Sequence, residues 1–316
     1  MLATFFTTVI AKDDIFSPAE ISMQVEEKRK TDKYYLCSKT IMCGSLLTEG
    51  NHLYLDRESP LWKEAMKMMF EKISYWQEQN KATTINLRDF DSEDAEMDSF
   101  FTENGFFKME MPENNVIEKL NWETQEEFLL NINSRSRRHI RQEVLKCENI
   151  VTVEIPDVVT EKELKYFYEL YLNVKERNLG LNTFTLPYKV FENMVKSDNW
   201  EMVVLKLKPE FDHTGEQNPI SVVFCYKGKE TYNPMIIGLD YTCPREHNAY
   251  RQSIYRVILR AKTLGMKKVR LGFSASIEKR KFGARVFTPC AYLQLKDNYN
   301  MELLGTMSAL RMVKKG

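Results

Sequence analysis

The sequence predicts an α/β fold made of two similar halves in tandem, each a mixed central sheet flanked by helices. Three observations predict it. At 316 residues the chain is long enough for two domains of ordinary size. Strand-like and helix-like patterns alternate along its length. One run of elements also recurs. Leu55-Asp56 closes a strand and is followed by Pro60, a helix and a strand centred on Leu87; Leu239-Asp240 closes a strand and is followed by Pro244, a helix and a strand centred on Leu271. The leucine-to-leucine separation is 32 residues in both cases (87 − 55 and 271 − 239).

Taken in order, residues 3–11 read as a strand. Ser17-Pro18-Ala19-Glu20 is a helix start, with a helix to about Lys30. Three short strands follow at 34–38, 40–47 and 51–56. Trp62, Ala65, Met66, Met69, Phe70, Ile73 and Trp76 fall on one helical face. A strand at 83–90, an acidic helix ending at Asn104-Gly105 and the strand GFFKMEM complete a first half over 1–112. Residues 113–148 read as a polar linker and a long basic helix from Thr124 to about Cys147. The second half, 149–316, opens on a strand at 150–155 and a helix at 161–177, and a further helix follows Pro187. A meander of strands at 200–208, 219–227 and 231–240 leads through the loop Tyr241–Asn248 into a helix ending at Gly265. A strand at 267–273, a polar turn or short helix at 274–282 and a strand near 286–296 finish the pattern.

With 43% hydrophobic and 28% charged residues the composition is that of a globular protein, and the longest apolar runs are too short to span a bilayer. The first ten residues lack the basic and cleavage-site features of a secretory leader, so a cytoplasmic location is expected, with attachment to the inner membrane surface left open. An opening strand is also what one module of a larger polypeptide would show. The six cysteines include no CxxC pair, and the four histidines are far apart, so no metal site is expected. Net charge is zero, yet residues 89–127 carry thirteen Asp/Glu against two Lys, and residues 245–285 carry twelve Lys/Arg against two Glu. The basic stretch is either solvated surface or an attractor for an anionic ligand.

Three stretches carry a resemblance: NINSRSRRHIRQEV (133–144 within it), GLDY (238–241) and YRQSIYRVILRAKTLGMKKVRLGFSASIEKRKFGA (250–284). Together they resemble the Fem-like, acetyltransferase-6 branch of the GNAT superfamily of acyl-CoA N-acyltransferases. The resemblance implies two GNAT-like halves with the donor site in the second. It further implies that Leu239-Asp240, the step Lys279-x-x-Phe282-Gly283-Ala284 and the arginine helix are functional. A glycine-rich phosphate turn is missing, since the equivalent stretch reads CPREHNAYRQS.

The expected activity is transfer of an acyl group from a thioester donor, acyl-CoA or a similar molecule, to a small-molecule primary amine. Such chemistry needs alignment, proton removal and an oxyanion-stabilising N–H rather than covalent machinery. Asp240, Lys279 and His247 are the catalytic candidates; an Asx cap at Asp240, a solvated Lys279 and an exposed loop His247 are the plain alternatives. Residues 248–251 should form the first turn of a helix, whose free N–H groups suit a diphosphate. The donor-binding candidates are therefore Asn248, Arg251, Arg245, Tyr241 and Tyr250. Arg135, Arg138 and Arg141, at three-residue steps, are candidates for gripping an anionic substrate, a tRNA or an acidic lipid surface, with salt bridges to the acidic segment as the alternative. Two further readings stay open: an aminoacyl-tRNA-dependent transferase of the peptidoglycan-bridge type, which alone would need nucleic acid, and a degenerate, non-catalytic GNAT module that binds a partner or lipid.

Overall fold

The structure, a computed structural model, describes residues 1–178 and 181–296. They form two compact units, one of residues 1–112 with 181–184 and 288–296, the other of 113–178 with 185–287. Each contains its own mixed sheet with helices packed on it, as the fold class predicts.

The first unit holds a five-stranded sheet in the order β2 (Phe6–Lys12), β3 (Cys37–Cys43), β5 (Thr84–Phe90), β14 (Cys290–Leu295), β6 (Phe107–Glu110). A separate ribbon pairs β1 (Leu2–Thr4) with β4 (Leu53–Leu55). The helix α1 (Ala19–Arg29) precedes β3. The long helix α2 (Trp62–Gln79) buries Trp62, Met66, Met69 and Ile73, so the apolar stripe packs as its spacing requires, although Trp76 is 37% exposed. Asp94 caps α3 (Ala95–Glu103) by accepting from the Met97 N–H, and Phe101 stacks on the buried Tyr292 of β14 at 4.0 Å. A buried cluster around α1 joins Arg29 to Asp14 (2.6 Å) and Lys12 to Glu26 (2.7 Å). Asn182 donates to both carboxylates at 2.8 Å, which fixes residues 181–184 to this unit.

The second unit holds a seven-stranded sheet in the order β13 (Arg285–Phe287), β7 (Asn114–Ile117), β12 (Lys268–Gly272), β11 (Thr231–Leu239), β10 (Pro219–Lys227), β9 (Trp200–Leu207), β8 (Val151–Glu154). The expected meander is β9–β10–β11. Around the sheet lie α4 (Gln125–Leu130), α5 (Ser134–Glu143), α6 (Glu161–Arg177), α7 (Tyr188–Met194), α8 (Ala249–Thr263) and α9 (Ser276–Lys281). A capping box between Thr160 and Glu163 starts α6.

Several expectations are corrected. The polar stretch taken as a linker contains β7, whose residues are all buried, and 113–148 belongs to the second unit. The long helix expected over 124–147 is three pieces, because Thr124 caps α4, Asn133 caps α5, and a 3₁₀ segment occupies Leu145–Ile150. The strand expected near 286–296 is two strands in different sheets. Leu55 and Leu239 are not equivalent either: Leu55 lies in the β1–β4 ribbon, and the strand that runs parallel to β5 is β3.

Each sheet nevertheless ends in the same way. In the first, β14 lies between β5 and β6; in the second, β7 lies between β12 and β13, and both inserted strands are antiparallel to both neighbours. The penultimate strand of the first sheet, β14, thus comes from the C-terminal side of the chain, whereas β7 of the second sheet lies just after residue 112 and within the second unit. Truncation after Phe287 removes β14, so β5 and β6 lose their shared partner. Amide hydrogen exchange is expected to accelerate in β5 and β6 while β9 and β10 stay protected; unchanged protection of β5 would contradict the seat of β14 between them.

Candidate functional site

The sheet of the second unit opens between two of its strands. β11 and β12 run parallel, but they pair only at Thr231↔Lys268 and Tyr232↔Val269. Beyond that point β11 stays paired to β10 as far as Leu239, and β12 stays paired to β7 as far as Gly272. The facing edges of the two strands therefore diverge into a wedge. Within β11 a bulge sets Pro234 and Ile236 opposite Cys225 and Phe224, so Met235 is an extra residue in the strand.

Each leaf of the wedge is held from behind. On the β11 side α6 packs so closely that a Cβ at Gly238 would lie 2.7 Å from Leu170 Cβ and 2.8 Å from the Tyr171 nitrogen. Glycine is required in GLDY for this contact. Asn173 of α6 donates to the Leu239 carbonyl at 3.2 Å. On the β12 side the Gly272 carbonyl accepts from Asn115 (3.0 Å) and from Lys279 Nζ (3.1 Å), and Lys279 donates again to Phe273 at 2.7 Å. Gly272, Ser274 and Ala275 all have positive φ, so the chain turns sharply as it leaves the strand. The Lys-x-x-Phe-Gly-Ala step is thereby explained locally. Lys279 ties α9 to the end of β12, Phe282 is buried, and Gly283 (φ 88°) closes a Schellman turn in which Ala284 N–H reaches the Lys279 carbonyl.

Beside the wedge lies the start of α8. Asn248 precedes it with φ 51°, a left-handed conformation that asparagine tolerates and that glycine would otherwise supply. Its side chain does not cap the helix but donates to Glu143 (3.4 Å) and the Glu246 carbonyl (3.2 Å). Among the described residues the N–H groups of Ala249, Tyr250 and Arg251 have no acceptor, the first intrahelical bond being Gln252 N–H to Asn248 at 2.9 Å. Arg251 bonds Glu278 at 2.8 Å and also the Asn248 carboxamide oxygen. Tyr250 is half-buried, and burial, aided by the Glu278 and Tyr241 charges, pushes its hydroxyl up to about 12. His247 is buried, and neither ring nitrogen has a hydrogen-bond partner.

The remaining candidates are more scattered. Asp240 forms an Asx turn, its Oδ1 accepting from Thr242 N–H at 2.8 Å and from the Thr242 hydroxyl at 2.7 Å. Tyr241 is exposed, with the Arg177 guanidinium 4.0 Å over its ring. Tyr166 of α6 is raised to about 12 by burial first and then by the negative charges of Asp240, Glu169 and Glu216. Arg245, Arg135 and Arg138 are exposed and make no ion pair among the described residues, whereas Arg141 pairs with Glu126 at 2.9 Å.

Most of the basic stretch 245–285 is neutralised within the unit. Lys262 pairs with Glu123, Lys268 and Arg285 with Glu118, Arg280 with Glu113, Arg256 with Glu148, and Arg260 with Glu201. Three glutamates of the acidic segment, Glu113, Glu118 and Glu123, thus meet four cations of the basic one. Sequence reasoning missed Glu278, Glu143 and His139, which surround Arg251, and missed Asn115 and Asn173, which hold the leaves. His139 lies 3.6 Å from Glu278, and burial, with the neighbouring Lys281 and Arg251, lowers its pKa against the opposing pull of Glu278 and Glu143. Among the described residues no group of three His, Cys, Asp or Glu is placed to hold a metal ion, and no helix is long and apolar enough to cross a membrane.

The sheet of the second unit is thus split between two parallel strands, with a helix starting beside the gap. Residues 134–280 match the acetyltransferase (GNAT) domain family, in accord with the resemblance carried by the second half, and the match points to acyltransferase activity. Similar solved structures include that of FemX, 12% identical with a TM-score of 0.57, covering 86% of this chain and 83% of that one. The structure of L-PGS from Bacillus licheniformis is 11% identical with a TM-score of 0.54, covering 87% and 85%. At these identities the likeness is one of fold. Among proteins of curated function none matches this sequence.

The cluster around Arg251 has a definite pH signature. Burial by itself would raise Glu278, but hydrogen bonds from Arg251 and Lys281 reverse this and bring it to about 2. A carboxylate lowered in the folded state contributes stability that is complete above its unfolded value and is lost as pH falls through the folded one. Glu278→Gln is expected to cost about 1–3 kcal/mol at pH 7. In urea titrations the gap from wild type should narrow between pH 4.5 and pH 2; a gap that does not change with pH would contradict the pairing.

Proposed function

We propose that the second unit transfers an acyl group from a thioester donor, acyl-CoA or a close equivalent, to a primary amine. The observation that carries this reading is the wedge between β11 and β12 opening beside a helix start with three unfilled N–H groups. The donor's diphosphate would take the amides of Ala249, Tyr250 and Arg251, where the helix dipole favours negative charge. Arg245 and Arg251 supply counter-charge, and Tyr241 and Tyr250 flank the chain. Asn248 supports the fit, because its left-handed backbone makes the turn for which a glycine is expected. The thioester carbonyl would lie in the wedge against the unpaired edge of β11, whose N–H groups are placed to receive an oxyanion.

In the reaction the amine lone pair attacks the carbonyl carbon and the C–N bond forms. The C–S bond then breaks, and the proton that the amine gives up, taken first by a base, passes to the leaving thiolate. Asp240, at the end of β11, is the proposed group for orienting the amine and taking that proton, and the buried His247 is the rival. Lys279, directed to the carbonyls of Gly272 and Phe273, is assigned a positioning role in keeping β12 turned away from β11. Arg135, Arg138 and Arg141 are assigned to anion recognition outside the wedge. The first unit is not assigned a donor site: Arg57, which precedes α2, is bound by Asp94 at 2.7 Å and Glu96 at 2.6 Å.

An aminoacyl-tRNA donor is the second reading, favoured by the unpaired Arg135 and Arg138. The two readings separate in one experiment. Under the acyl-CoA reading, CoA thioesters raise the melting temperature and support amine acylation. Asp240→Asn should then lower kcat by about 100-fold or more without weakening donor binding. If no CoA thioester binds, and aminoacyl-tRNA is turned over with a steep salt dependence, the second reading replaces the first. Failure of both donors leaves a non-catalytic binding module.

A further inference from the structure

We propose that the outward face of α5, continued to the approach to α8, docks on the surface of an anionic bilayer. Four basic residues define it: Arg135, Arg138, Lys146 and Arg245 are exposed, and among the described residues none makes an ion pair. This sets them apart from their neighbours Arg141, Arg251, Arg280 and Lys281, each of which has a glutamate partner. The four are brought into one region by the fold. The buried side of α5 is Ser136 and Ile140, which directs Arg135 and Arg138 away from the core. The Cys147 thiol donates to the Glu246 carbonyl at 3.2 Å, so the residues next to it, Lys146 and Arg245, belong to the same end of the face.

Aliphatic side chains accompany the charge. Leu130 is 70% exposed and Ile277 75% exposed. Leu130 lies two residues before Ile132, whose methyl a Cβ on Gly283 would approach to 3.0 Å; Ile277 precedes Glu278, which lies 3.6 Å from His139. These two contacts lay α9 along α5 in the opposite direction and put both aliphatic residues at the margin of the basic face.

Unpaired cations beside exposed aliphatic side chains match a lipid–water interface, where the cations meet headgroup phosphates and the aliphatic tips enter the acyl boundary. A nucleic acid would use the same cations, but single-stranded bases are held on aromatic planes, and the large side chains exposed beside α5, on α4 and α9, are the aliphatic Leu130 and Ile277. A small phosphate ion needs converging donors, whereas these four lie along a helix and the loop beyond it. Docking this way brings the start of α8 close to the headgroups, because Arg245 precedes that helix by only four residues.

The test is flotation of the full chain with phosphatidylglycerol-containing vesicles and with pure phosphatidylcholine vesicles. Binding is expected to the first only. Arg135→Ala with Arg138→Ala should weaken it roughly 25-fold, about five-fold per arginine. Leu130→Ser with Ile277→Ser should weaken it by about ten-fold or more. All four positions are exposed, and circular dichroism checks that each variant is folded. Absence of binding to the anionic vesicles, or equal binding to neutral ones, overturns the proposal. So does unchanged vesicle binding by the serine variant, or by the arginine variant. If the arginine variant instead loses affinity only for an RNA oligonucleotide, the face is a nucleic-acid surface and the bilayer reading is wrong. Vesicle binding is read without turnover, so it stands or falls separately from the donor reading.

Discussion

The second unit depends on keeping two parallel strands apart. Backbone pairing favours zipping β11 to β12 along their length, yet the ladder stops after Tyr232↔Val269. Three constraints prevent it from continuing. The bulge at Met235 and the missing N–H of Pro234 spoil the register on one edge. The close seat of α6 on Gly238, with the Asn173 bond to Leu239, fixes the direction of β11. Asn115 and Lys279 draw the end of β12 to the other side. An open sheet edge inside a folded unit leaves main-chain groups ready for a ligand, and the orphaned amides of α8 lie next to it.

The charge distribution also looks different in three dimensions. Along the sequence, acidic and basic segments are separated and suggest a broad basic surface. In the fold, glutamates from 113–148 neutralise five side chains of the basic stretch, Lys262, Lys268, Arg285, Arg280 and Arg256. Arg251 illustrates the consequence. It is positioned by Glu278 and Glu143 rather than free, which makes it a pre-organised counter-charge and not a loose one.

Much of the fold was legible because periodicity reports burial. The face of α2 and the β9–β10–β11 meander follow directly from their residues. The placement of β7 and β14 was not legible, since a short strand such as NNVI in polar surroundings has no periodic signal and its partners lie more than 150 residues away. The site was legible in part. The helix start at 248–251 and the step at 279–284 were identified, but their mechanics were not. Lys279 stood out as a charge in EKRK, whereas its exposure of only 5% and its bonds to two carbonyls come from tertiary packing. Glu278, beside it, carried no signal of its own. A glycine two residues before Asp240 was a signal that could have placed α6 against that strand.

The most direct test of the account is amide hydrogen exchange of the full chain with and without a non-hydrolysable acyl-CoA analogue. Slowed exchange at Met235–Leu239 together with Ala249–Arg251, with little change in the first unit, is the predicted result. Protection confined to the first unit, or none at saturating ligand, would contradict the claim that the wedge receives the donor.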